Sequence, residues 1–375
     1  MELMLLSGDK MCAMIPFITM FMMEGCTIAL TITAKSAMSA GMNQFVFVAY
    51  SNALSSVLLL SYSLIFHRDS MKKIFNLKLL SRFFLLGLTG ITIAQNLAFT
   101  GLRDSSPIVV CAMGLLLPSF QFFLALILGK TRLNISSKST KIKILGVLAS
   151  ITGAIMVAAY LGPSILNGPL FHPLMLSGPK PFLVFISATN QWMFGTSLLA
   201  LATFSIAIWS IIQVSTFARF PDMMVIVTCS TIFGTIQTFF VDIIANGDFN
   251  AWKLNFDLEL LIIVLTALLG TLGRSRVQAW CMSLKGPMYV AKFKPFGLFW
   301  ACLIGLSLFG NSLHYGSVIG TGIVAIGYLT VLWGVKEEAK QSQIDSKQSQ
   351  PSDDDLKAPL LSQQPELDSE PEELV

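Results

Sequence analysis

The sequence predicts an all-α polytopic membrane protein, and three observations carry that reading. Of the 375 residues, 54% are hydrophobic and 12% charged, where a soluble domain carries about 25% charged residues. Mean hydropathy is +0.70. Ten apolar runs follow one another, at about 12–33, 44–66, 83–102, 107–128, 144–160, 193–217, 223–245, 258–280, 287–310 and 317–335. About 20 such residues, rising about 1.5 Å each, cross a hydrocarbon core of about 30 Å. Finally, the fourth and ninth runs, in corresponding places of two halves, each open on a proline and carry another inside. A proline-interrupted span repeated in this way points to the binding site of a transporter.

The first run follows Lys10 and mimics a signal peptide, but it is too long and lacks a small-residue cleavage site, so it reads as a retained span. The fourth opens at Ser106-Pro107, holds Pro118 and ends at Gly129. The connection 161–192 contains Gly162, Pro163, Gly168, Pro169, Pro173, Gly178, Pro179 and Pro181, without helical period. It reads as an extracytoplasmic linker between five-helix halves spanning 1–160 and 193–335. The ninth run opens at Gly286-Pro287, where proline at the first helical position forfeits no hydrogen bond. It carries Lys292, Lys294 and Pro295, and a turn, Asn311 to Gly316, leads into the tenth. Residues 336–375 hold 11 of the 21 acidic residues and are rich in Gln, Ser and Pro, which predicts a disordered tail.

Charge sets the expected orientation. The segments 67–82, 129–143, Arg219 and Arg274–Lys285 hold 14 Lys/Arg, and the alternate connections hold four: Lys35, Arg103, Lys180 and Lys253. The positive-inside rule then puts both termini in the cytoplasm. Asn134-Ile135-Ser136 matches a glycosylation acceptor on the cytoplasmic side and is expected to stay unmodified. Asp353 to Leu361, an acidic cluster before Leu360-Leu361, resembles a vacuolar sorting signal, so plasma and vacuolar membranes are both open. The six cysteines are scattered through apolar runs and the three histidines lie far apart, with no metal-site spacing. No basic stripe with interleaved aromatics suggests nucleic acid. No nucleophile–base set, HExxH, GxSxG or P-loop is present, so the reading is not an enzyme, and no cofactor is implied.

Several stretches together carry a family resemblance. They are Gly41-Met42-Asn43, Gly101-Leu102-Arg103-Asp104-Ser105-Ser106-Pro107, Leu117-Pro118-Ser119-Phe120, Leu284-Lys285-Gly286-Pro287, Phe293-Lys294-Pro295, Gly316-Ser317-Val318-Ile319-Gly320 and Leu332-Trp333-Gly334. In order and spacing the chain resembles the plant nodulin-like, walls-are-thin-related (UMAMIT) transporters, an EamA-repeat family of the drug/metabolite transporter superfamily. The resemblance implies ten transmembrane helices in two five-helix inverted EamA-type repeats. It also implies facilitated movement of small organic solutes, usually amino acids and for some members auxin. The chain departs from that family's pattern at Ser51, Thr131, Lys292 and Asn311.

Polar groups at membrane depth are costly and are the natural functional candidates. Glu24 lies near the middle of the first run; it either contacts a substrate ammonium or is a structural carboxyl. Lys294 shares a helix side with Gly297 and Ala301 and is expected inside, paired with Glu24, while Lys292 points out. Gln95, Asn96, Gln121 and Gln213 either bind solute or bond neighbouring helices. Trp209 and Trp300 lie away from the interfacial belts, as solute contacts or as lipid-facing packing. Pro118 and Pro295 read as kinks that shape a cavity. Arg274 and Arg276 are expected to snorkel from the cytoplasmic end of span eight. The expected function is a solute carrier for amino acids in the lipid bilayer. The rivals are an auxin or other metabolite carrier of the same fold, and a transport-inactive scaffold or sensor.

Overall fold

The computed structural model describes residues 2–72, 74, 76–129, 137–160, 190–246, 252, 258–308 and 315–348. The linker 161–189, Asn134-Ile135-Ser136 and the sorting-like stretch of the tail lie outside them. The elements are α1 (Glu2–Ser39), α2 (Gln44–Phe66), the one-turn α3 (Arg68–Met71), α4 (Leu77–Gly87), π1 (Leu88–Ile93), α5 (Ala94–Asp104), α6 (Pro107–Gly114), α7 (Leu117–Ile127) and α8 (Lys138–Ala159). After the linker come α9 (Asn190–Phe217), α10 (Met223–Asn246), α11 (Leu258–Leu265), π2 (Thr266–Gly273), α12 (Arg274–Lys285), α13 (Pro287–Ala291), α14 (Phe296–Leu308) and α15 (Tyr315–Gln348). Among the described residues, nine stretches are long and apolar enough to cross a membrane. Leu77–Asp104 and Glu259–Lys285 are each one of them, continuous through π1 and π2. The ninth apolar run of the sequence is instead two short helices, α13 and α14.

That break has a local cause. Pro295 has no N–H to donate, so the α-helical ladder cannot run through it. Lys292 to Leu298 substitute tighter i→i+3 bonds, among them Lys292 N to Tyr289 O at 3.2 Å and Lys294 N to Ala291 O at 3.3 Å. The Tyr328 hydroxyl also donates at 2.6 Å to the carbonyl of Ala291, whose i+4 residue, Pro295, has no N–H to offer. Pro118 acts in the same way: the chain turns at Leu115 and Leu116 between α6 and α7, and α7 starts with the proline in its first turn. Both expected proline interruptions are therefore present.

Helix ends follow the usual chemistry. Asn43 caps α2 by accepting from Phe45 N at 2.9 Å. Gly286 closes α12 at φ +82°, a conformation glycine adopts without strain, and Pro287 opens α13. The expected tail begins at 336, but α15 runs on to Gln348, and its Glu338 pairs with Lys143, whose side chain is 4% exposed. That ion pair gives the amphiphilic extension a partner, which composition alone did not reveal.

The densest packing joins α8 to α15. Small residues at helical spacing, Gly146, Ser150 and Gly153 on one and Gly320 and Gly327 on the other, bring the backbones together. A methyl group at Gly327 would stand 2.6 Å from the Ser150 amide nitrogen. Around this pair, Val109, Met113, Val157, Leu199 and Val324 form one core. Phe83 and Leu86 of α4 with Val225 and Ile226 of α10 form another, and Phe47 with Ile263 a third. Large apolar side chains such as Ile65, Val214, Ile244 and Ile326 stay on the outside, the inversion expected of a chain solvated by lipid. The protein is an integral, multi-pass membrane protein.

Candidate functional site

Three charged side chains meet between α1, α12 and the α13–α14 break. Glu24 is 4% exposed. Its carboxylate lies 3.3 Å from the Arg274 guanidinium and 3.5 Å from the Lys294 ammonium. Arg274 also donates to the Thr27 hydroxyl, one turn along α1, at 3.1 Å. Glu24 stands ten residues in from the start of the span Met14–Ser39, about 15 Å deep. The carboxylate balances one cation, so the cluster carries one net positive charge.

The expected pairing of Glu24 with Lys294 is there, and Lys292 is exposed. The expectation for Arg274 is corrected: it does not snorkel but joins Glu24. The apolar run thins out near 280, yet the helix continues to Lys285, where Gly286-Pro287 ends it. Arg274 is thus 11 residues from that end, about 16 Å. The glycine–proline stop was the signal that could have placed it. Arg276 is exposed, with its guanidinium over the Tyr62 ring at 5.0 Å.

A cavity of mixed lining, more apolar than polar, adjoins the cluster. One lobe of about 200 Å³ is lined by Thr27, Thr31, Ser51, Gln95, Thr266 and Thr271, among others. A second lobe of about 360 Å³ includes Arg274, Trp209 and Ser230. Both lobes are bordered by Asn52, Gln95, Phe99 and Thr271. Asn52 donates to Gln95 Oε1 at 2.6 Å, which fixes both amides on the cavity wall. Ser55 donates to Thr271 at 3.0 Å and ties α2 to π2. The wall is built on π1 and π2, whose wider turns place Gly90, Thr266 and Thr271 at the lobes; π-type turns recur at functional sites. At Gly90 the missing side chain admits Trp209, since a methyl group there would stand 2.4 Å from the indole.

Of the sequence-predicted residues, Gln95 and Trp209 border the cavity, and Glu24 and Lys294 belong to the charge cluster beside it. The others lie elsewhere. Trp300 donates to Phe21 O at 3.1 Å and packs where Gly25 lacks a side chain, holding α14 to α1. Gln213 donates to the Met223 sulfur at 3.7 Å. Gln121 is half-buried on α7 and is not among the lining residues. Asn96 is buried and donates to Thr92 O at 3.0 Å. Sequence reasoning missed Arg274, Asn52, Ser51 and the threonine wall. Hydroxyls and amides in apolar runs are too common to single out before helices are assembled.

No protein-family model matches the chain. A solved crystal structure aligns with 87% of this chain and 99% of that one at TM-score 0.52 and 13% identity, a likeness of fold alone. Two curated proteins of Arabidopsis thaliana are much nearer in sequence. WAT1-related protein At1g70260 is 43% identical over 94% of this chain and 97% of its own length. WAT1-related protein At1g60050 is 44% identical over 92% of this chain and 95% of its own length. A third, WAT1-related protein At5g40240, is 33% identical over 89% of this chain and 91% of its own length. With such identity along nearly the whole of both chains, this protein belongs to the WAT1-related family.

Proposed function

We propose that this chain is a membrane transporter for a small organic solute bearing a carboxylate, an amino acid being the leading case. One observation carries the reading: a cluster with one net positive charge sits at membrane depth beside a mostly apolar cavity that carries a few amides and hydroxyls. A charge there costs several kcal/mol unless it serves a purpose. Arg274 has five N–H donors, and its two described bonds, to Glu24 and Thr27, leave others for a carboxylate. Glu24 offers the ammonium of a zwitterion an acceptor. The larger lobe, about 360 Å³, lies at the low end of small-molecule sites, about 300–1,000 Å³.

The reading includes ten spans in two inverted five-helix repeats, 1–160 and 193–335, joined by the loop 161–192, with both termini cytoplasmic. Matching irregularities support the repeat: π1 and π2 lie in the third and eighth runs, and the proline breaks in the fourth and ninth. Alternating access would then rock one half against the other around the cavity. Auxin also carries a carboxylate and suits the same site. The membrane, plasma or vacuolar, is left to localisation of a tagged chain.

The test is uptake and efflux of radiolabelled amino acids and auxin in oocytes. Arg274→Gln leaves Glu24 and Lys294 as a balanced pair, so the protein should still reach its membrane while uptake falls at least about tenfold, the loss of about 1.4 kcal/mol of solute binding. Full uptake by Arg274→Gln would exclude the carboxylate site. Absence of uptake and efflux for the whole panel in the wild type would favour the scaffold reading.

A further inference from the structure

A second buried carboxyl lies outside the cavity and takes no part in the cluster. Asp242, near the end of α10, has no exposed surface, and neither of its oxygens meets a donor at hydrogen-bonding geometry. The Asn96 side chain lies against it. The Asn96 amide nitrogen is engaged with Thr92 O at 3.0 Å, but its oxygen is also buried and without a donor. Two adjacent side chains thus present three acceptor oxygens without a donor at hydrogen-bonding geometry, the second N–H of the Asn96 amide being the one donor that faces the carboxyl. The neighbouring hydroxyls are already used: Thr238 donates to Thr92 at 3.4 Å, and Thr92 to Gln237 at 3.1 Å.

Among the described residues, no charge in the vicinity supports an ionised Asp242. The elements packed on α10 are α2, α4, π1, α9 and α12, and α5 brings Asn96 against Asp242. On α2 the titratable groups are Tyr50, whose hydroxyl donates to Trp252 O, and Tyr62, which lies under Arg276. On α4, Lys78 and Arg82 lie with Arg219 at the opposite end of α10. On α12, Arg274 is held by Glu24, Arg276 by Tyr62, Cys281 bonds Pro16 O, and Lys285 is the last residue of the helix. π1 and α9 carry no charged side chain. On α5, Arg103 pairs with Asp104. On α10 itself, Cys229 packs in the core with Phe83 and Val225 toward the other end.

A bare carboxylate here would lose its hydration with nothing in return, at a cost of several kcal/mol. One proton resolves the pattern. The acid O–H donates to the Asn96 oxygen, and two of the three orphan acceptors gain a partner. A metal cation would need room, and neither residue borders the cavity lobes or the groove beside Trp252. We propose that Asp242, held by Asn96, is a proton-binding site. The proton is taken up when α10 seals against π1 and α5 and is released when they part, which couples solute movement to protons. The coupling rests on the transporter reading; the binding of the proton does not.

The two parts are tested separately. Infrared difference spectra of the purified full chain, recorded between about pH 9 and about pH 6, where ordinary carboxylates stay ionised, should show the carbonyl band of a protonated carboxylic acid. That band should vanish in Asp242→Asn and shift in Asn96→Leu, which keeps the carboxyl but removes its acceptor. A band that persists in Asp242→Asn, or its absence in the wild type, overturns the site. In proteoliposomes, an imposed proton gradient should accelerate uptake of a radiolabelled amino-acid mixture several-fold, and Asp242→Asn should lose that acceleration. Uptake that ignores the proton gradient, or follows a sodium gradient instead, overturns the coupling. If no solute moves at all, the transporter reading fails, and the spectra still decide the proton site.

Discussion

Glu24 and Asp242 are both carboxyls with 4% exposure or less, yet their surroundings are opposite. Glu24 has two cations within 3.5 Å, and Asp242 has an amide and no charge. The first is compensated electrostatically, the second only by a proton. The difference teaches that burial alone does not define a site. What matters is which partner the surrounding helices bring, and whether removal of the acid leaves other charges stranded.

Glu24→Gln breaks this comparison most severely. It leaves Arg274 and Lys294 facing each other without an anion. Removal of one partner from a buried ion pair costs about 3–5 kcal/mol. The thermal unfolding midpoint in detergent should fall by the largest margin of any single change considered, and little protein should reach the membrane. Adding Lys294→Met removes one stranded cation, so the double variant should be more stable than Glu24→Gln alone. Lys294→Met by itself should be milder, because Arg274 still balances Glu24. A Glu24→Gln variant as stable as wild type would show that the cluster does not hold its charges in this way.

Gly25→Ala probes the same cluster without altering a charge. The new methyl group would stand 2.6 Å from the Trp300 indole, so α14 must move from α1 or the ring must turn. Overpacking of this kind costs about 1–3 kcal/mol. It also draws Lys294 away from Glu24, and uptake should fall more than stability does. Equal uptake by Gly25→Ala and wild type would mean that the Lys294 contact is dispensable.

Asp242→Asn should cost least of the changes to buried acids. A neutral amide of the same shape replaces a neutral acid, and its N–H₂ can donate to the Asn96 oxygen, so the change in stability should stay within about 1 kcal/mol. A loss as large as that of Glu24→Gln would mean that Asp242 is ionised and paired with a cation, contrary to its described surroundings.

The two carboxyls also differ in how far the sequence disclosed them. Glu24 and Lys294 stood out because each interrupts a long apolar run, and the prolines marked both broken helices. Asp242 sits where its run gives way to polar residues, and from composition it looks like an interfacial side chain. Only the packing of α10 against π1 and α5 buries it. Arg274 was obscured in the same way by the fading of its run. π1 and π2 left no trace in the sequence, since their i→i+5 bonds depend on neighbours across the bundle. The all-helical, membrane-spanning class was therefore easier to read than the cavity, whose threonines, serines and amides look alike until they converge.

A third carboxyl tests the comparison where water is near. Asp222 lies between α9 and α10 and caps α10 by accepting from Val225 N at 3.3 Å. His67 Nδ1 lies 2.9 Å from its other oxygen, and both side chains are partly exposed, 27% for His67 and 16% for Asp222. Burial alone would raise the carboxyl's pKa, but hydrogen bonds from Ser70, His67 and the Val225 amide outweigh it and hold it below the 3.8 of free aspartate. A depressed value in the folded state means that the ionised form stabilises the fold above the unfolded value. That stability is lost as pH falls past 3.8 and on through the lower folded value. Asp222→Asn keeps the cap, since Asn and Asp serve about equally there, and removes a pair that water screens. At neutral pH the loss should be about 0.5 kcal/mol, the low end of a hydrogen bond's net contribution. Unfolding midpoints measured from pH 5 down to pH 3 should fall less steeply in Asp222→Asn than in wild type. Parallel slopes would show that the acid sensitivity of the fold comes from other carboxyls. In that case pairing would stabilise the buried acid, Glu24, and contribute nothing measurable at the wet edge of the bundle.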